Sequence, residues 1–264
     1  MNPNSLFDLY QTASSPVHTL DPRVKITSTI AFILSCVLLP DGYWILYAIS
    51  WGILILISFI SQIKLSFILK RSLIAIPFTL MAITVIFTIP GEPLSKINLF
   101  NLDLTITAEG LIRFASIMIR AWCSVQATIL LTATTTFPDL AHGLRHLYIP
   151  PILIAILSFM YRYLFVLTSE AQRLLNARAA RSAISPGSKQ PSLMWKAKVT
   201  GNMVGQLFLR SYERSDRVYD AMVARGFKGE FLTYNPHTMK TRDWISLLFV
   251  ALFLFGIQSI AILF

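Results

Sequence analysis

Arginine is the residue type in this sequence that is best placed to bind a partner. Arg178 follows Ala177, and Arg225 stands between Ala224 and Gly226, so small neighbours leave each guanidinium unobstructed. A guanidinium is always charged and offers a rigid fork of five donors, which suits docking into a groove on a partner protein. Two simpler interpretations stay open: a basic residue near a helix end can offset the helix dipole, or it can bind anionic lipid head groups.

A third arginine, Arg120, lies near the start of a long apolar stretch. An arginine inside a membrane is energetically expensive and indicates a functional role by default, so Arg120 is a candidate functional residue within the membrane. An equal alternative is that its side chain extends to the outer interface. With Glu109 and Arg113 it could also form a buried polar network that faces other helices.

The histidines do not predict a metal site. His142 and His146 are four residues apart, which can place two ligands on one helix face. Only Asp139 among the acidic residues is close in sequence, so we favour a solvated or interfacial pair and expect no metal ligands. We also expect no catalytic residue, since no Ser-His-Asp arrangement is convincing. The phosphate-binding motif G-x-x-x-x-G-K-[ST] does not occur, so ATP hydrolysis would come from a partner.

The composition requires a membrane. Of 264 residues, 55% are hydrophobic and 14% are charged, against about 25% charged residues in a soluble domain. The mean hydropathy is +0.61. These values exclude a disordered chain, a disulfide scaffold and most soluble enzymes. Met1–Leu20 lacks a basic segment followed by an apolar core, so we predict no cleavable signal peptide.

The predicted fold is an all-α integral membrane protein with about five transmembrane helices and a set of long cytoplasmic or interfacial helices. A helix needs roughly 20 apolar residues to cross a bilayer. A further stretch, Leu147–Tyr161, opens with a proline pair and is closed by Arg162, and we expect it to lie in the interface or pack inside the protein. The five predicted spans are Ile26–Pro40, Gly42–Ile63, Ser72–Gly91, Ala121–Pro138 with a helix that begins near Ala108, and Trp244–Phe264.

Charge sets the predicted topology. The net charge is +10, and 15 of the 23 Lys and Arg residues lie in 136–242. If Leu147–Tyr161 spanned the membrane, most of that basic block would lie outside, against the positive-inside rule. The sequence therefore predicts a cytoplasmic N-terminus and an external C-terminus. The expected domains are a four-span membrane domain at 1–135, a cytoplasmic coupling-helix domain at 136–242 and a last transmembrane helix at 243–264.

Two long helices are predicted inside the basic block. Ile152–Ala183 and Leu193–Arg225 contain strong helix formers, and Ser-Pro-Gly-Ser at 185–188 separates them. Gly226 fits the position that ends the second helix, because glycine adopts the left-handed conformation without strain. In that helix the pattern predicts one apolar face opposite Arg210, Arg214, Arg217 and Asp220. The predicted apolar face contains Val204, Leu207, Phe208, Ser211, Val218 and Met222.

Four short stretches form a recognisable set of motifs: Leu20–Lys25 (LDPRVK), Thr134–Leu140 (TTTFPDL), Ala177–Ala179 and Ala224–Gly226. In these stretches the sequence resembles the transmembrane (T) component of energy-coupling factor transporters. The first Ala-Arg-Gly motif of that family departs here, because Ala179 stands where glycine is usual. The context 213–227 and the segment 7–18 are closest to CbiQ, the T component of cobalt transporters.

The resemblance implies a non-catalytic subunit of an ATP-driven importer. Two cytoplasmic ATPases would dock on the motifs around Arg178 and Arg225, and a membrane substrate-binding (S) subunit of the CbiM type would carry cobalt or nickel. ATP and magnesium would be bound by the ATPases and the metal ion by the S subunit, so this chain would hold no cofactor. We expect a multi-pass protein of the bacterial inner membrane, surrounded by lipid and without nucleic acid.

Two alternatives remain at this point. A T component that serves vitamin-binding subunits is barely separable from a cobalt or nickel type by sequence. A membrane-bound enzyme is the third hypothesis, and it would need carboxylates or histidines that face a cavity inside the bilayer. The predicted spans contain almost no Asp, Glu or His, which counts against an enzyme.

Overall fold

A computed structural model describes residues 10–11, 13–90, 93–99, 102–147, 149–181, 192–229 and 239–263. The chain divides into two compact units. We call them the span unit, which contains Leu9–Gly143 and His237–Phe264, and the hairpin unit, which contains Leu144–Pro236. The predicted break at 185–188 lies outside the described residues, and the predicted three-segment domain organisation stays a prediction.

The span unit begins with two helices of 17 residues, α1 (Pro22–Leu38) and α2 (Trp44–Ile60). Asp21 caps α1 by accepting a hydrogen bond from the backbone N–H of Arg23 at 2.9 Å, and Pro22 follows it. Proline suits the first turn of a helix because its missing N–H would have no partner there. The predicted tight turn joins the two helices, and Gly42 adopts a left-handed φ of 88° in it.

The third apolar stretch forms a helix in three pieces, which the sequence did not predict. These are α3 (Leu65–Ser72), α4 (Ile76–Leu80) and α5 (Val85–Thr88), joined by 3₁₀ turns at Leu73–Ala75 and Met81–Thr84. Pro77 cannot donate to the carbonyl four residues earlier, which lies in the first of these turns. The Thr84 hydroxyl donates to the carbonyl of Met81 at 3.3 Å, a local bond that competes with regular helix.

A two-stranded antiparallel hairpin, β1 (Pro93–Leu99) and β2 (Leu102–Thr107), follows the broken helix. It was not predicted either. Thr107 ends β2 and caps the next helix, because its hydroxyl accepts from the N–H of Gly110 at 3.2 Å and donates to the carbonyl of Ile89 at 2.9 Å. That helix, α6 (Ala108–Thr134), begins where the sequence placed it.

The core of the span unit forms where α1, α2 and α6 meet α10 (Thr241–Leu263). Small side chains let α6 pack closely, since Ser116 and Ala133 have no exposed surface. The largest core cluster joins Phe32, Cys36, Leu54, Cys123, Ala127 and Leu254. The predicted all-α membrane fold is confirmed, with the hairpin as its exception.

A buried polar junction ties the N-terminal ends of α1 and α10 together. One Asp243 oxygen accepts from the N–H of Asp21 at 3.1 Å, and the other accepts from the N–H of Lys240 at 2.8 Å. The Lys25 ammonium donates to the carbonyl of Thr134 at 3.2 Å and to that of His18 at 3.1 Å. The junction therefore also fixes the C-terminal end of α6.

Two helices follow in the hairpin unit, after α7 (Phe137–Arg145). These are α8 (Pro151–Arg181) and α9 (Leu193–Ala224), of 31 and 32 residues, and both long helices of the basic block are thus confirmed. Within the described part of the chain, four helices are long and apolar enough to cross a membrane: Leu65–Thr88 taken as one, α6, α8 and α10. The stretch Leu147–Tyr161 falls largely within α8, and its interfacial placement stays a prediction.

Removing the Asp243 carboxylate tests the junction. Asp243→Ala leaves two backbone N–H groups without their acceptor, and we expect a fall of about 5 °C in the melting temperature of the purified protein in detergent. Asp220→Ala, at an exposed position of α9, is the control and should change it by about 1 °C or less. Equal melting temperatures for both variants would contradict the role of the junction.

Candidate coupling site on α8 and α9

The helices α8 and α9 form an antiparallel pair. Residues later in α8 contact residues earlier in α9. The ring centroids of Phe159 and Phe227 lie 6.4 Å apart. Glu170 pairs with Arg210 at 3.0 Å, and Arg178 hydrogen-bonds to Thr200 at 3.0 Å. One end of the pair therefore holds the end of α8 and the start of α9. The other end holds the start of α8 and the end of α9.

Charged groups join the middle of the pair. The Glu170 carboxylate, whose side chain is 18% exposed, accepts from Arg210 and lies 4.0 Å from Arg173. A bridge between two helices with one half-buried partner is less screened than a fully exposed pair. Glu170 therefore sets the register in which α9 lies along α8.

An elongated groove of about 580 Å³ lies between the two helices on the side of Arg225. The α8 side chains Phe159, Tyr163 and Leu167 and the α9 side chains Val218 and Met222 line it. Phe227 lies across its end. The pair is thus held by a line of apolar contacts and by the ionic contact at Glu170.

The predicted apolar face of α9 is partly wrong. Val204 and Phe208 are exposed at 61% and 67%, and Arg214 lines the groove although it was placed on the opposite face. Arg210 also points to α8, because Glu170 on α8 attracts it. Eight positions of α9 are half-buried and keep spacings of three and four: Lys196, Val199, Met203, Leu207, Ser211, Arg214, Val218 and Met222.

Arg225 is presented by the cap that ends α9. The N–H of Gly226 donates to the carbonyl of Val223 at 2.9 Å and the N–H of Phe227 donates to that of Met222 at 3.0 Å, the pair of bonds that defines a Schellman motif. Gly226 has a left-handed φ of 80°, so the predicted helix stop is confirmed.

The cap leaves the Arg225 side chain exposed. Ala224, Arg225 and Gly226 are all exposed, while the chain turns and brings Phe227 back against Phe159 of α8. Within the described residues, no hydrogen bond or ion pair engages the Arg225 guanidinium. Arg225 is therefore an available, fully charged donor group on a rigid backbone.

Arg178 is presented differently. The helix continues past it to Arg181, consistent with alanine at position 179, which does not favour the left-handed stop that glycine gives. Ala177 is exposed, and the Arg178 guanidinium donates to the Thr200 hydroxyl, which itself donates to the carbonyl of Lys196 at 2.9 Å. Arg178 thus lies within a continuous helix, and its side chain hydrogen-bonds to α9.

The two arginines lie at opposite ends of the helix pair. Arg178 contacts Thr200, and Arg225 follows Thr200 by 25 residues on the same helix. At 1.5 Å of rise per residue the separation is about 38 Å. The described parts of the pair, 151–181 and 192–229, carry 11 Lys and Arg residues against four acidic ones. The pair therefore presents two separate guanidinium groups on a positively charged scaffold.

Arg120 lies in the span unit, within α6. It pairs with Asp41 in the turn between α1 and α2, and its Nε donates to the Tyr47 hydroxyl at 2.9 Å. Arg113 lies 3.5 Å from the same carboxylate. The two arginines thus share one carboxylate, but the predicted buried network of Glu109, Arg113 and Arg120 is wrong, because Glu109 and Arg113 are exposed.

Sequence reasoning missed Thr200, Glu170 and Asp41 as partners of these arginines. Each is far from its arginine in sequence, and only the packing of helices brings the two together. The position of Phe227 could have been predicted from the sequence, because the apolar residue directly after a glycine helix stop commonly packs back against the helix.

The comparisons with known proteins agree with this architecture. The family model described as CbiQ, cobalt transport protein, matches residues 13–236, a range that includes both arginines. An energy-coupling factor transporter transmembrane protein EcfT of Heliobacterium modesticaldum is 30% identical over 232 residues, and that of Listeria innocua is 28% identical over 232 residues, each covering 83% of both chains. An uncharacterized protein of Methanocaldococcus jannaschii is 29% identical over 253 residues, which is 94% of this chain and 84% of the relative. The chain therefore belongs to the CbiQ family, as a multi-pass transmembrane component of an energy-coupling factor transporter.

Proposed function

We propose that this chain couples ATP hydrolysis by two cytoplasmic ATPases to the uptake of cobalt or nickel ions through a membrane S subunit of the CbiM type. The observation that carries the proposal is the placement of Arg178 and Arg225 at opposite ends of one helix pair, about 38 Å apart. One guanidinium then serves each ATPase. The chain itself is non-catalytic and binds neither nucleotide nor metal.

The mechanism follows from the stiffness of the pair. A groove on each ATPase receives a guanidinium together with its small neighbours, Ala177 at one end and Ala224 and Gly226 at the other. When ATP draws the ATPases together, the two ends of the pair are displaced with them. Helices of more than 30 residues pass that displacement on with little loss, because the register at Glu170 and the Phe159–Phe227 contact hold α8 and α9 as one body.

The proposed orientation places the helix pair in the cytoplasm of a bacterial cell, with the N-terminus on the same side. Its support is the concentration of Lys and Arg in 136–242. The resulting domains are the four spans of 1–135, the coupling domain of 136–242 and the last helix of 243–264.

A vitamin transporter is the second candidate, because several relatives are named only as energy-coupling factor transporter proteins and their names specify no substrate. The description of the matching family model favours cobalt. Cells that express the complete transporter should accumulate cobalt or nickel, and an Arg225→Glu transporter should not. Normal metal accumulation by the variant would contradict the coupling role. Vitamin uptake in place of metal uptake would assign the second candidate.

Charge reversal tests the docking arginines. Arg178→Glu and Arg225→Glu each place a carboxylate where the proposed ATPase groove binds a guanidinium. We expect the affinity for the ATPase to fall about tenfold or more. The measurement is binding of purified ATPase to the purified membrane protein. Arg217→Glu is the matched control, since Arg217 is 71% exposed about two turns before Arg225 and should leave the affinity unchanged. Unchanged affinity in both test variants would contradict the assignment.

The glycine cap gives a second, milder test. Gly226→Ala forces a side chain into the left-handed region without any clash, since no atom lies within 4 Å of the added Cβ. We expect the end of α9 to loosen and ATPase affinity to fall about fivefold. Gly205→Ala, at a helical position of α9 with equally open space, should stabilise the helix and leave the affinity unchanged. Equal affinities for the two variants would show that the cap does not present Arg225.

A further inference from the structure

A cleft of about 400 Å³ lies between α2 and α6 in the span unit. Trp44, Tyr47 and Trp51 line it from α2 at spacings of three and four, and Ile119 and Trp122 line it from α6. Its walls are almost entirely apolar. That volume falls within the range of small-ligand sites and is too small for a transmembrane helix, which is 10–12 Å wide with its side chains.

The two ends of the cleft differ. Near the end of the α1–α2 turn, the Tyr47 hydroxyl accepts from Arg120 and donates to the carbonyl of Pro40 at 2.9 Å. About one turn further along α2, the Trp51 indole donates to the Gln126 side-chain carbonyl oxygen at 3.1 Å. The cleft is thus an apolar slot with cationic groups at one end, which matches an amphiphile.

The cationic end carries an excess of positive charge. Arg113 and Arg120 share the single carboxylate of Asp41. Among the described residues, no other carboxylate lies within ion-pair distance of either arginine. The Arg120 side chain is 19% exposed, whereas the Arg113 side chain is 58% exposed. Glu109, one turn before Arg113 on α6, is exposed and opposes an anion there.

We propose that this cleft is a binding site for an anionic phospholipid. An acyl chain lies between the tryptophans, and the phosphate accepts hydrogen bonds from Arg113 at the Asp41 end. The bilayer supplies such lipids next to any lipid-facing cleft, and a guanidinium forms charge-assisted hydrogen bonds with a phosphate. The site gives Arg113 and Arg120 a role that is independent of ATPase docking.

Tryptophan fluorescence reports directly on this site. The chain has five tryptophans, and Trp195 and Trp244 lie outside the cleft. In a Trp195→Phe, Trp244→Phe background all tryptophan fluorescence, excited selectively at the red edge of the absorption band, comes from the three that line it. The protein is reconstituted in mixtures of phosphatidylglycerol and phosphatidylcholine in which one or the other lipid carries brominated chains. We expect quenching to show a preference of about fivefold for phosphatidylglycerol.

Three variants decide the outcome. Arg113→Gln should abolish the preference, Glu109→Gln should increase it, and Ala48→Leu, which narrows the cleft, should reduce quenching by both lipids. Arg71→Gln removes an arginine that stacks on Phe67 outside the cleft, and it should change nothing. Equal quenching by both lipids in the parent protein, or an unchanged preference in Arg113→Gln, would overturn the proposal. Tryptophans that neither brominated lipid can quench would show that something else fills the cleft.

Discussion

The pairing of α8 with α9 is the constraint on which the coupling site depends. None of the 32 residues of α9 is buried, so this helix has no core of its own and takes its position from its contacts with α8. Those contacts lie in one line from Phe159 through Glu170 to Arg178. The line fixes both register and direction, and with them the separation of Arg178 and Arg225. Much of the apolar surface of α9 remains exposed, which suits a helix that works within an assembly.

The helices of the span unit must hold together in lipid, which gives no hydrophobic drive for their association. Small side chains bring α6 close to its neighbours, and polar groups fasten the helix ends. Asp243, Asp21 and Lys25 join the starts of α1 and α10 to the end of α6, and Asp41 joins the α1–α2 turn to α6 through two arginines. The motif LDPRVK thus has a structural reading here: Asp21 and Pro22 start α1, and Lys25 satisfies the last carbonyl of α6.

Local patterns in the sequence were sufficient for much of this structure. Helix formers and the glycine at 226 placed both ends of α9, and the apolar pattern placed the start of α6 at Ala108. Features that depend on contacts between residues far apart in the sequence could not be predicted from local patterns. The partner of Arg120 is 79 residues away, and the face that α9 turns to α8 is decided by Glu170, 40 residues before Arg210. The broken third helix and the β-hairpin arise where helix propensity is locally weak, and only their surroundings select one conformation.

The most direct test of the account counts how many ATPases one chain engages. Ala177 and Ala224 are exposed beside the two arginines, whereas the native Cys36 and Cys123 are buried. Ala177→Cys and Ala224→Cys can therefore carry photoreactive cross-linkers in the intact transporter. We predict that each single variant cross-links one ATPase and that the double variant yields a product of one chain with two ATPases. A double variant that cross-links only one ATPase would contradict the claim that the helix pair spans both.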